Sequence, residues 1–298
     1  MRNREDVFSQ CHPAILFLYF CAVIITTMLI SHPAVLLCSF AGALCYQCRL
    51  TGIRKTLHRQ CLYFLPAFLL VALINPAFNH YGVTVLFYLK TGPVTLEAVV
   101  YGIVLSGMLW TALLWFSNVN EVMTTDKFAY LFGRLSPALS LVLSMVFRLV
   151  PRYKKRLADI RTGQKCLGKD SSSLHLPGRI RSGAAELSML MTWALENGID
   201  TADSMKARGY GTAKRTSYSI FVWRRQDKWI LSIAGVLFGL CLLGFCKGNA
   251  FAQYNPQILL GGFPLSAESI FVYGIWLLFV LLPAGADRID KWIREVSA

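Results

Sequence analysis

The sequence predicts an all-α, polytopic integral membrane protein with about six spans and a long cytoplasmic helical insert. Three observations carry that prediction. Of 298 residues, 55% are hydrophobic and only 15% charged, against roughly 25% charged in a soluble domain. The apolar residues gather into runs near the length of about 20 residues that crosses a bilayer. The 30 Lys and Arg residues, against 16 Asp and Glu, fall almost entirely into alternate loops. A disordered chain cannot leave so much apolar surface in water. With 22 glycines and nine scattered cysteines, collagen-like and disulfide-scaffold chains are excluded as well.

Taken in order, the first run is 14–30. Basic residues Arg2 and Arg4 precede it, yet it ends at Ser31-His32-Pro33 without a small-residue cleavage site. It therefore reads as the first span and not as a cleaved signal. The next runs are 33–48, 61–78, 98–117, 229–246 and 269–283. The second and sixth are short, which tilting or polar ends accommodate. With the N-terminus in the cytoplasm, the outward segments 31–32, 79–97 and 247–268 hold Lys90 and Lys247, and the other 28 basic residues face inward. That asymmetry is the positive-inside pattern. It explains the net charge of +14 without nucleic acid and puts both termini in the cytoplasm.

The chain thus divides into membrane helices in 1–117, a cytoplasmic or interfacial insert in 118–228, and membrane helices with a short tail in 229–298. The insert is too long for an ordinary loop, and its part 148–228 holds 17 basic and 7 acidic residues. Leu135, Leu139, Val142, Leu143, Val146 and Leu149 recur at helical spacing. Pro151 is expected to break or kink that helix. Basic residues follow at Arg152, Lys154, Lys155, Arg156 and Arg161, a face for anionic lipid headgroups or for solvent. Gly168, Ser171-Ser172-Ser173 and Pro177-Gly178 mark a loop. A second helical pattern starts near Ser182 and is interrupted at Asn197-Gly198. Asp200 or Thr201 then caps a short further helix that ends at Arg208-Gly209. Gly209 suits a left-handed cap, and Arg208 meets the negative end of the helix.

Chemistry is sparse. No G-x4-G-K-[ST] phosphate cradle occurs. Glu97 and Glu268 sit at outer helix ends, where water is available, and no ionisable group takes the midplane position that an ion-coupled carrier usually keeps. Cys45 and Cys48 form a lone C-x2-C without further ligands, and His12, His32, His58, His80 and His175 do not cluster. No catalytic, cofactor or metal residue is assigned. Asn75-Pro76 closes a span or breaks a helix. Gly235-x3-Gly239 offers close helix contact. Met189, Met191, Trp193 and Met205 offer an adaptable apolar face or simple intramolecular packing.

The stretch Ala202-Asp203-Ser204-Met205-Lys206-Ala207-Arg208-Gly209-Tyr210-Gly211 resembles the second Ala-Arg-Gly motif of the energy-coupling-factor transporter T components, the EcfT/CbiQ family. Thr192-Trp193-Ala194-Leu195-Glu196 fits just upstream. Residues 79–87, followed by Thr95-Leu96-Glu97-Ala98, are similar to the family's outer loop before its fourth helix. The order of membrane helices, basic insert and membrane helices agrees too. One departure stands out: the first Ala-Gln-x-Ala-Arg-Gly motif aligns with Gly163-Gln164-Lys165-Cys166-Leu167-Gly168. Gln164 and Gly168 are kept, but Leu167 replaces the arginine. Lys165 or Arg161 then substitutes, or the contact is apolar.

The resemblance implies a non-catalytic coupling subunit of an ATP-driven importer. Two ATP-binding-cassette ATPase subunits would bind its cytoplasmic helices through Gln164, Gly168, Ala207, Arg208 and Gly209. A separate substrate-binding membrane subunit would pack alongside, for vitamin or transition-metal uptake. The alternative open at this point is a stand-alone secondary carrier for a small solute.

Overall fold

The computed structural model describes residues 8–79, 82–89, 92–135, 137–168, 175–212, 221–262 and 266–297. His80, Lys90 and Ser171-Ser172-Ser173 lie outside them. Two compact units result: one from residues 1–124 and 221–298, the other from 125–220.

The first unit is a helical bundle. Helix α1 (Pro13–Leu29) is followed by α2 (Pro33–Thr51), each opened by a proline in its first turn, where the missing N–H costs nothing. Helix α3 (Ile53–Arg59) runs through a wide π turn at Gln60–Phe64 into α4 (Leu65–Phe78). Helix α5 spans Leu96–Val122. The bundle resumes with α9 (Arg225–Gly244), which ends in a second π turn at Phe245–Asn249, and with α10 (Ala267–Ser297). Helices α6, α7 and α8 make up the second unit.

Five helical stretches are long and apolar enough to cross a membrane: Pro33–Thr51, Ile53–Phe78, Leu96–Val122, Arg225–Asn249 and Ala267–Ala286. The sixth apolar helix, Pro13–Leu29, has 17 residues, at the lower edge of the usual range. The short element is therefore the first, not the second or sixth. Polar residues at the ends of α2 and α10 stay helical and lengthen both.

Large rings fill the core. Trp115, Trp276, Tyr46 and Phe8 are fully buried. The indole N–H of Trp115 donates to Ser39 Oγ (3.0 Å), that of Trp276 to the Val35 carbonyl (3.2 Å), and the Tyr19 hydroxyl to the Phe279 carbonyl (3.0 Å). Rings thus tie α1, α2, α5 and α10 together while satisfying their own donors. Near one end a polar chain does the same work. Trp110 donates to Gln60 (2.7 Å), Gln60 to Gln47 (2.9 Å) and Gln47 to Ser117 (3.0 Å). It pins the π turn to α2 and α5, as interhelical polar contacts do in membrane bundles.

Close helix approach falls elsewhere than the sequence pattern indicated. Neither Gly235 nor Gly239 has a neighbour within 4 Å of an ideal Cβ. The tight crossings are at Gly42, where a Cβ would lie 2.1 Å from Val280 Cγ1, and at Gly244, 2.4 Å from Val272 Cγ2. A third is at Gly102, whose Cβ would stand 3.2 Å from the Ala72 carbonyl. That carbonyl lies four residues before Pro76, which has no N–H to give it. Pro76 leaves α4 helical for two more residues, to Phe78, so it closes the span.

Two short hairpins join the spans. Strand β1 (Val85–Leu89) pairs antiparallel with β2 (Gly92–Thr95), and β3 (Ala252–Gln253) with β4 (Leu259–Leu260). The first hairpin corrects the expected setting of Glu97. Its carboxylate is 6% exposed and accepts hydrogen bonds from the Thr84 backbone N–H (3.2 Å) and hydroxyl, at the N-terminus of α5. Backbone dipoles there favour the anion, so it closes a loop against a helix end instead of facing water. Between α1 and α2, His32 is buried, and burial pushes its imidazole below the usual histidine range. It therefore stays neutral beside the Tyr273 hydroxyl, 3.3 Å from Nε2.

Candidate functional site

The second unit contains α6 (Thr125–Leu135), α7 (Pro137–Cys166) and α8 (Leu176–Ala207). Helix α7 continues through Pro151, and α8 continues through Asn197-Gly198. The expected break and the expected third helix do not occur, so Asp200 and Thr201 lie within α8 and cap nothing. Helix α8 also begins earlier than Ser182, with Pro177 in its first turn.

Contacts between α7 and α8 explain that continuity. Tyr153 meets Trp193 edge-on at 5.8 Å. The guanidinium groups of Arg152 and Arg156 lie over the same indole at 5.5 and 5.2 Å. Each cation over an indole contributes about 0.5–1 kcal/mol at a surface site. Further along, Arg161 Nε donates to Glu186 Oε2 at 2.9 Å, and Gln164 Nε2 approaches Met189 Sδ at 3.6 Å. From Tyr153 with Trp193 to Arg161 with Glu186, the partner number falls on α8 as it rises on α7, so the two helices run antiparallel.

Glu186 is 4% exposed, whereas the Arg161 side chain is more than half exposed. Arg161 is therefore paired within its own chain through Nε. Arg161→Ala would strand a buried carboxylate, at a cost on the order of 1–3 kcal/mol. A lower melting temperature is expected for this variant, with most of the loss restored by adding Glu186→Gln.

The helix ends are alike in backbone and unlike in chemistry. Arg208 is the residue after α8, and Gly209 follows at φ +81°. The Gly209 N–H donates to the Lys206 carbonyl (2.9 Å) and the Tyr210 N–H to that of Met205 (3.0 Å). These two bonds define a Schellman cap, which needs the left-handed residue that glycine supplies. After α7, Gly168 has φ +74° and its N–H reaches the Lys165 carbonyl (3.0 Å). Leu167 therefore holds the place on α7 that Arg208 holds on α8, and it is 71% exposed. Gln164 is half-buried one turn earlier, and Ala207, Arg208 and Gly209 are exposed.

Arg208 also lines a groove of 470 Å³ with Met145, Arg148, Leu149, Arg152, Asp200, Thr201, Ser204 and Met205. Leu167 lies fifteen residues beyond Arg152 on α7, roughly 22 Å along the axis at 1.5 Å per residue. The two tips thus occupy opposite ends of the pair. Sequence reasoning missed Arg148, which lines the same groove as Arg208, and Glu186, which accepts from Arg161. The spacing of four between Arg148 and Arg152, which sets them on one helix face, was the available signal for the first.

The four candidate residues of the apolar face do not share a face. Trp193 meets α7, and Met205 lines the groove beside it. Met191 instead stands 58% exposed with Leu187, Leu195 and Ile199. Among the described residues, no group of three or more His, Cys, Asp or Glu side chains converges as a metal site would.

These features define a class: a polytopic membrane protein with a separately compact unit of long helices, α7 strongly basic, inserted in the chain between two groups of spans. The chain belongs to the CbiQ family, described as cobalt transport protein, whose sequence model matches residues 12–218. It is also 30% identical over 156 residues to the energy-coupling factor transporter transmembrane protein EcfT of Staphylococcus aureus (strain 04-02981). That match takes in 49% of this chain and 58% of the relative, so the chain spans little more than half of the relative's length.

Proposed function

We propose that this protein is the transmembrane coupling subunit of an energy-coupling-factor importer for vitamin or transition-metal uptake. The observation that carries the reading is the paired helix ends, each closed by a left-handed glycine, within a member of the CbiQ family. Two ATP-binding-cassette ATPase subunits bind the pair, one at the Gln164–Gly168 end and one at Ala207-Arg208-Gly209. ATP-driven movement passes along α7 and α8 to a separate substrate-binding membrane subunit. The exposed stripe of Leu187, Met191, Leu195 and Ile199 offers that subunit an apolar face. Both termini and the insert lie in the cytoplasm, a reading that the sorting of basic residues supports. The chain itself is non-catalytic and binds no cofactor. Its residues 118–228 form the coupling part, between membrane helices in 1–117 and 229–298.

The bundle's chemistry supports coupling over solute-proton exchange. Among its described residues, Glu97, Glu121, Asp227 and Glu268 lie at or near helix ends, and Asp287, Asp290 and Glu295 of α10 follow the apolar stretch Ala267–Ala286. A carrier driven by protons usually needs such a group deeper in the membrane. The test is uptake into proteoliposomes, with and without the ATPase subunits and ATP. Uptake is expected to need both, and uptake by the chain alone would make it a carrier.

A further inference from the structure

We propose that Arg208 acts within a cleft of three guanidinium groups, with Arg148 and Arg152, that receives a short acidic segment of the ATPase carrying one apolar side chain. This rests on the coupling function proposed above and adds the chemistry of the partner's surface. The cleft is the 470 Å³ groove between the N-terminal half of α7 and the C-terminal end of α8. Three cations and one carboxylate, Asp200, line it. Neither Arg148 nor Arg208 has an ion-pair partner among the described residues, while Arg152 lies over Trp193. Like charges held around one groove repel each other, and entering carboxylates relieve that repulsion.

The cleft's shape selects the occupant. Arg148 and Arg152 are four residues apart on α7, so their Cβ atoms are about 5–6 Å apart. That spacing matches two acidic residues one turn apart on a partner helix. Arg208 approaches from the other helix and closes the third side. Met145, Leu149 and Met205 supply an apolar lining, which a lone headgroup leaves unfilled and a partner's apolar side chain covers. Ser204 and Thr201 add hydroxyls to the same cleft.

Arg148 gives the decisive variant, because Arg152 also packs on Trp193 and its loss would disturb the helix pair. The assay is recovery of the ATPase subunits that co-purify with the wild-type protein, from detergent-solubilised membranes. Arg148→Glu, with Arg208 intact, is expected to lower recovery by about tenfold or more, while Arg148→Lys keeps most of it. An unchanged melting temperature and elution volume in both variants would exclude misfolding as the cause. Loss of ATPase in Arg208→Glu but not in Arg148→Glu overturns the three-arginine cleft and leaves the coupling function standing. No ATPase recovered with the wild type overturns both. Full ATPase recovery by Arg148→Glu, with loss of binding to phosphatidylglycerol vesicles, reassigns the cleft to lipid and overturns the proposal.

Discussion

Arg208→Glu is expected to abolish association with the ATPase subunits and ATP-dependent uptake, while the protein still inserts in the membrane. The residue sits on an exposed tip, outside the packed bundle and beyond the last turn of α8, so its loss removes no core contact. Reversal replaces an always-charged bidentate donor with an anion facing the partner's acidic groups. Losing one member of a desolvated interfacial charge pair costs about 2–5 kcal/mol, which is thirtyfold or more in affinity. The folding penalty is smaller, about 0.3–1 kcal/mol for an anion at a helix C-terminus. Co-purification of the ATPases, uptake assays and protease mapping of the inserted protein separate these effects. Near-wild-type uptake would refute the anchoring role of Arg208.

Gly42→Val is expected to have the largest effect on stability. A Cβ at this position already falls 2.1 Å from Val280 Cγ1 and 3.3 Å from the Val280 carbonyl oxygen. The nearer atom belongs to a stiff β-branched side chain and the farther one to backbone. Helices α2 and α10 must separate, and overpacking of this kind costs about 1–3 kcal/mol or more. The purified protein is expected to melt several degrees lower. Gly42→Ala should be recovered largely by Val280→Ala, which removes the colliding methyl. Gly163→Ala in α7, where nothing lies within 4 Å, is the control. Equal melting temperatures for Gly42→Val and wild type would mean that the α2–α10 crossing is not close.

The spans and the basic insert were legible because each rests on many residues: apolar runs and sorted charges survive local exceptions. The left-handed cap at Gly209 was legible because its backbone demand is local. What escaped depends on partners distant in sequence. Helix breakers at Pro151 and Asn197-Gly198 were outvoted by packing of α7 on α8 around Trp193. Burial of Glu97 arises from Thr84, thirteen residues away across a hairpin with short strands. The small-residue pattern at Gly235 and Gly239 named the right helix, α9, but the crossing forms at Gly244, where Val272 stands opposite. The Arg148 contribution needed the antiparallel pairing, which no local signal in α7 or α8 specifies.

The unequal helix ends have a consequence for how the assembly comes apart. A contact through Arg208 would hold by charge, and ions in the medium shield such contacts over distances of about 8–10 Å near physiological strength. A contact through Leu167, 71% exposed, would hold by excluding water, which excluded salts such as sulfate reinforce. On the coupling function proposed above, concentrated sulfate is therefore expected to loosen the ATPase held at Arg208 while tightening the one held at Leu167, so that dissociation would proceed in two stages with opposite responses to the same brine.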